Sequence, residues 1–207
     1  MKLHWSPRSP YVRKVMIVAH ETGLADRLER VRSVVAMSKP NPEVMRDNPL
    51  GKIPTLVTDD GRILFDSIVI CEYLDTLHTG AKLFPASGAA RWEALRWHAL
   101  GDGMLDTLIL WRNERDQPST QQNPDWLSTF ALKIANSLDV IERETAELER
   151  APFGIGHVGI ACALGYLDFR FTDLAWRDGH PRSAAWFEKV SQRASIRATH
   201  PGVESCS

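Results

Sequence analysis

Asn48-Pro49-Leu50-Gly51-Lys52-Ile53-Pro54-Thr55-Leu56-Val57 sets a proline directly ahead of a short, β-branched and apolar run. Proline cannot donate to a sheet ladder, so Pro54 belongs at the start or the edge of a strand. An X-Pro bond is cis at modest cost, and a cis bond here turns the backbone N–H and C=O of Ile53 outward. Those groups then suit a peptide-like ligand laid alongside as an extra strand.

Downstream of this stretch, Thr55 to Thr58 and Arg62 to Phe65 read as two strands joined by Asp59-Asp60-Gly61, a tight antiparallel hairpin. A helix follows Asp66-Ser67, with Ser67 as its N-cap. Its interior (Ile68, Val69, Ile70, Cys71, Tyr73, Leu74) is apolar on most sides, as for a helix buried against a sheet. Upstream, Leu3 to Trp5 is strand-like, and Ser6-Pro7-Arg8-Ser9-Pro10 is a turn ending in an N-cap and N1 pair. Val12, Val15, Met16 and Ala19 form the stripe of a first helix that Gly23 stops. Leu28 to Val35 is the next strand, and Ser38 to Pro42 breaks it before a segment with room for one or two helical turns. Strand, helix, strand, helix-like loop, strand, strand and helix over residues 1–78 make an α/β unit that resembles the thioredoxin fold.

A linker is expected over 79–88, inside a stretch from Thr76 to Gly88 without sustained period. Beyond it the pattern is helical only: Ala89 to Arg115, Asn123 to Arg150, Ile155 to Phe171 and, as the last, Pro181 to Gln192. The expected fold class is therefore α/β plus all-α, a thioredoxin-like domain (1–78) followed by a helical bundle (89–207). The tail from Thr199 to Ser207 is expected to carry little regular structure.

The 207 residues are 43% hydrophobic, enough for a proper core, and 25 basic against 26 acidic side chains are interspersed. With a formal net charge of −1 and no basic run, nucleic acid and anionic membranes are poor partners. The start lacks the pattern of a signal peptide and no run approaches a membrane span, so a cytoplasmic location is expected. Cys71, Cys162 and Cys206 are far apart with no C-x-x-C, which excludes a dithiol redox motif and a cysteine-rich zinc site.

Ser9, at the predicted N-cap of the first helix, admits two readings. It is an ordinary cap, or its hydroxyl and the positive helix end stabilise an anion such as a thiolate. Ser9-Pro10-Tyr11-Val12-Arg13-Lys14, then Asn48 to Pro54, then the acidic-Ser pair Asp66-Ser67 resemble, in order and spacing, the glutathione S-transferase family over the whole chain. The resemblance is closest to bacterial members with serine at the first turn, the YibF-like subgroup.

That resemblance implies a role for each matching residue. Ser9 activates the sulfur of glutathione, a co-substrate, with no metal required. The Ile53 main chain, ahead of Pro54, pairs with the cysteinyl part. Asp66 meets the γ-glutamyl ammonium, and Ser67 with its helix N-terminus meets the carboxylate. Lys39 and Lys52 are candidates for the glycyl carboxylate. A small, apolar electrophile is expected in a cleft edged by Trp5, Arg8, Tyr11, Asp102, Met104 and Trp111, although the last three fit a subunit interface or solvated rim equally well. Asp102 and Asp106, at i and i+4, repel and need a cation, for which Arg112, Arg96 or another subunit is a candidate. A homodimer is implied. The implied activity is transfer of the glutathione thiolate. Open alternatives are a non-catalytic glutathione- or protein-binding member and a glutathione-dependent isomerase or dehalogenase. One departure stands out: Gly154 and His157 occupy the positions where the family has a Ser/Thr and Asp capping box, so Gly154→Ser with His157→Asp is expected to raise stability.

Overall fold

The structure, a computed structural model, describes residues 1–201. Thr199 to Pro201 extend past the last helix, while residues 202–207, and with them Cys206 and most of the expected tail, lie outside the described residues. The chain divides into two compact units, one running from Met1 to Phe84 and completed by a segment from Ala194, the other from Pro85 to Arg193.

In the first unit, β1 (Lys2–Trp5) runs parallel to β2 (Glu29–Arg32) and antiparallel to β3 (Thr55–Val57), which pairs antiparallel with β4 (Ile63–Leu64). The sheet order is β2-β1-β3-β4. Leu3 pairs with Leu56, and both are wholly buried between the helices and the sheet, as period-2 alternation requires. The β3–β4 turn is tight because Gly61, at φ +83°, takes the left-handed conformation that only glycine adopts freely. Both strands of this hairpin are shorter than the sequence pattern predicts.

α1 (Pro10–Glu21) starts at Ser9, whose Oγ accepts the Val12 N–H at 3.3 Å, and ends ahead of Gly23 at φ +70°. It is buried from Val12 through Ala19, more than one stripe accounts for. The reason is that it packs on α3 (Ser67–Thr76) and also on a short helix, α8 (Ala194–Ala198), that the sequence pattern did not announce. Arg13 Nη2 donates to the Ile196 carbonyl at 3.4 Å, and the Ser195 hydroxyl donates to Glu21 at 2.5 Å, which fixes α8 to this unit. The helix predicted to be last, Pro181–Ser191, is therefore followed by one more.

α2 (Pro42–Asp47) packs on β3. His4 ties it to the sheet: the ring shares hydrogen bonds with Ser33 Oγ at 2.9 Å and Asp47 Oδ2 at 2.7 Å. The N-cap of α3 is Asp66, which accepts the Ile68 N–H at 3.1 Å, so Ser67 is the first helical residue and not the cap. At the other end of α3, the buried Asp75 carboxylate accepts the N–H groups of Leu83 (2.9 Å) and Phe84 (3.1 Å), holding the outgoing chain.

The second unit is helical: α4 (Gly88–Arg115), α5 (Pro124–Arg150), α6 (Ile155–Arg170) and α7 (Pro181–Ser191). α6 is buried on every side from Ile155 to Leu167 and lies closely against α4. Glu142 of α5 receives the start of α7. Its two oxygens accept the N–H of Arg182 (3.1 Å) and the N–H and hydroxyl of Ser183 (2.8 and 2.6 Å). Burial pushes this carboxyl up, but the Ser183 and Arg182 donors outweigh burial and hold it at about 2.

The cap of α6 corrects the expectation for Gly154 and His157. His157 Nδ1 accepts the Gly154 N–H at 3.2 Å, as the missing acid would, while Nε2–H donates to the Leu148 carbonyl at 2.9 Å. An aspartate in its place could accept from Gly154, but it would turn a bare carboxylate toward the Leu148 oxygen. Among the described residues no helix is long and apolar enough to cross a membrane.

Candidate functional site

Sheet direction decides which motifs meet in the first unit. β1 and β2 are parallel, and β3 begins where β1 ends, His4 facing Thr55. β4 is antiparallel to β3, so Phe65 and Asp66 leave the sheet at the end where Ile53 and Pro54 enter it. The turn carrying Ser9, the Lys52-Ile53-Pro54 strand entrance, the start of α3 and the loop after β2 with Lys39 thus share one end of the sheet. Two helix N-termini, those of α1 and α3, open there, bringing unpaired N–H groups and positive dipole ends with them.

The polar groups at this end are only partly used by the fold. Ser9 Oγ is an acceptor for Val12, which leaves its O–H to donate; among the described residues it has no acceptor. The backbone N–H and C=O of Ile53 stand two residues outside the β1–β3 ladder and likewise have no hydrogen-bond partner among the described residues. The Ile53–Pro54 peptide is cis, as is Phe65–Asp66. Asp66 is exposed and spends one oxygen on its cap. Ser67, buried in the first turn of α3, makes no side-chain hydrogen bond to any described residue. Lys39 and Lys52 are exposed at the same end. Donors thus gather at this end of the sheet, together with the Asp66 carboxylate.

The residues assigned to a second-substrate cleft divide between the units. In the first, Arg8 is exposed, and Tyr11 lies in the first turn of α1 with the Lys14 ammonium 5.7 Å from its ring. Trp5, under the Arg30 guanidinium at 5.6 Å, lines a small pocket with Val12, Met16 and Thr199, and neither Arg8 nor Tyr11 lines that pocket. In the second unit, Met104 is buried and Trp111 packs on the Phe171 ring at 5.0 Å. Asp102 lies beside an imidazole one turn back on its own helix, with His98 Nε2 at 3.4 Å. Arg96 is committed to Glu93 and Glu144, and Arg112 to the Tyr166 hydroxyl and Asn113.

Two residues the sequence did not single out stand behind the strand entrance. Asn48, 1% exposed, donates from Nδ2 to the Lys52 carbonyl at 3.2 Å and to Thr55 Oγ1 at 3.0 Å, and accepts the Leu50 N–H at 3.0 Å. Thr55, wholly buried, donates its hydroxyl to the same Lys52 carbonyl at 2.8 Å. The signal available in the sequence was an amide side chain four residues ahead of that carbonyl, across a turn that needs Gly51 at φ +61°.

Comparison with known proteins places this arrangement in context. Residues 8–77 match the model of the glutathione S-transferase N-terminal domain and residues 124–189 that of the glutathione S-transferase C-terminal domain. The chain is 32% identical over 203 residues to an uncharacterized GST-like protein, YibF, of Escherichia coli K12, covering 97% of this chain and 98% of that one. A glutathione transferase family member from Pseudomonas fluorescens Pf-5, solved with bound glutathione, superposes with a TM-score of 0.94 at 46% identity, covering 98% of this chain and 99% of that one. A glutathione S-transferase from Methylobacillus flagellatus, solved with glutathione bound, gives a TM-score of 0.86 at 33% identity, covering 97% and 98%.

Proposed function

Because the chain belongs to the glutathione S-transferase family, we propose that it binds glutathione at the open end of its first-unit sheet and transfers the thiolate to a small, apolar electrophile. The observation that carries this reading is the Ser9 hydroxyl, poised at a helix N-terminus with its proton uncommitted among the described residues. A thiol brought to that point meets a hydrogen-bond donor and a positive dipole end, and both favour its ionised form. Its proton leaves to solvent, and the sulfur electron pair forms a bond to the electrophilic carbon; either the bond to a leaving group breaks and the group departs with its pair, or an activated double bond breaks, its π pair moves to the activating group and a proton is taken up from solvent.

The peptide itself would be held by main-chain pairing at Ile53, by Asp66 on the γ-glutamyl ammonium, and by Ser67 with the α3 N-terminus on the carboxylate. Lys39 and Lys52 offer charge to the glycyl carboxylate. Trp5, Arg8, Tyr11, Asp102, Met104 and Trp111 remain our candidates for the electrophile's surroundings. We extend the same proposal to a homodimer, which light scattering or sedimentation would test. The deciding experiment is calorimetric titration with glutathione, followed by turnover against a panel of electrophiles. Binding with turnover is the expected result. Binding without turnover would favour a glutathione-binding, non-catalytic member, and no binding would overturn the reading.

A further inference from the structure

The Lys52 carbonyl receives two side-chain donors, Asn48 Nδ2 at 3.2 Å and Thr55 Oγ1 at 2.8 Å, and these two side chains also bond each other at 3.0 Å. The Lys52–Ile53 peptide is trans, so its C=O and the Ile53 N–H point in opposite directions from one rigid plane. Whatever fixes the carbonyl therefore aims the N–H. We infer that Asn48 and Thr55 are positioning residues that lock the 52–53 peptide plane and so present the Ile53 N–H to an incoming peptide. This rests on the reading that the cysteinyl part of glutathione pairs there.

Burial makes the clamp stiff. Asn48 is 1% exposed and Thr55 0%, so neither side chain has water to exchange with. The Asn48 amide is held a third way, because its Oδ1 accepts the Leu50 N–H and its own backbone carbonyl accepts the Gly51 N–H at 2.9 Å. The Lys52 side chain is exposed, and nothing else among the described residues bonds the Lys52 carbonyl. Without the two donors the peptide plane could rotate, and a ligand would have to order it on binding.

The test uses the intact protein and glutathione. Thr55→Val keeps the shape and removes the hydroxyl, Thr55→Ser keeps the hydroxyl, and Asn48→Ala removes the amide. Thr55→Val and Asn48→Ala are expected to weaken glutathione binding about tenfold by calorimetry, the scale of one lost hydrogen bond, whereas Thr55→Ser stays within about twofold. KM for glutathione rises in parallel, while kcat and its pH profile, set at Ser9, do not move. Amide exchange at Ile53 in the wild-type protein slows when glutathione is added, a readout that needs no variant to fold. Wild-type protein that fails to bind glutathione overturns the proposed function itself. Wild-type binding with full affinity retained in both Thr55→Val and Asn48→Ala overturns the clamp alone, whereas wild-type binding with unchanged Ile53 exchange overturns the pairing at Ile53 on which the clamp rests.

Discussion

A Cβ on Gly101 would stand 2.4 Å from the carbonyl carbon of Gly159 and 2.5 Å from its oxygen. The obstacle is backbone, so it cannot swing aside as a side-chain tip would. α4 and α6 approach this closely only because both contact points lack a side chain. Gly101→Ala is expected to cost at least ~3 kcal/mol, at or above the upper end of overpacking effects. Thermal melts would show it, and a variant as stable as wild type would mean the two helices are not in backbone contact. Gly103, beside which a Cβ meets nothing, is the control.

His157 is expected to be worth ~2–4 kcal/mol, because removing its ring strands the Gly154 N–H and the Leu148 carbonyl in the core. Both His157→Ala and His157→Asp should therefore lower the melting temperature, with or without Gly154→Ser. Burial holds the imidazole pKa below its ordinary value. The unfolded chain then binds a proton the folded chain refuses, so this contribution is complete above pH ~6.5 and declines as pH falls below it, by up to ~1.4 kcal/mol per unit. A stability profile flat from pH 7 to 5 in wild type, or identical in His157→Ala, would count against this.

Glu142 supplies a second pH signature with its own window. Its carboxyl, held at about 2 in the folded protein, contributes stability above the ordinary glutamate range near 4.3, and that stability is lost as pH falls from there through about 2. Glu142→Gln is expected to destabilise at neutral pH by ~1–2 kcal/mol and to converge with wild type near pH 2. Parallel melting curves across that range would reject the assignment of Glu142 as the anchor of α7.

Ser9→Ala is expected to lower turnover on the order of 10²-fold, the scale seen when one preorganised donor to a developing anion is removed. Glutathione affinity should change little, because the Ile53, Asp66 and Ser67 contacts are untouched. The thiol pKa of bound glutathione, read from thiolate absorbance against pH, should rise. Unchanged turnover would remove Ser9 from the mechanism.

Asp66→Asn separates two jobs held by one side chain. Asparagine caps a helix about as well as aspartate, so the bond to the Ile68 N–H survives and the melting temperature should hold. The charge is gone, and glutathione affinity should fall about tenfold or more, as for a lost charge-assisted hydrogen bond. Equal affinity would mean the γ-glutamyl ammonium lies elsewhere.

Wherever local pattern dictates structure, the fold and the turns that carry the candidate site residues could be read from the sequence. Ser9-Pro10 starts α1, Asp59-Asp60-Gly61 closes the β3–β4 turn, and the apolar run after Asp66 is the buried α3. What escaped depends on partners far apart in the chain. The Asp102–His98 contact is local in α4, but the sequence does not say whether the imidazole carries the charge that Asp102 calls for. His4 reaching Ser33 and Asp47, or Asn48 and Thr55 meeting on one carbonyl, leave no periodic trace. Asp and Ser are near-equal caps, so the sequence does not choose between Asp66 and Ser67, and only the Ile68 bond separates them. α8 is five residues long, too short for a 3.6-residue period to declare itself.

The return of α8 to α1 also sets the order of events at the ribosome. Residues 1–84 emerge early, but Ile196 and Ser195, which hold the outer flank of α1, are made only after all of Pro85–Arg193. The nascent first unit must wait with part of that helix uncovered, while the helical unit has its whole sequence in hand sooner. A released chain ending at Arg193 should therefore carry a protease-resistant second unit beside a first unit that is still readily cleaved.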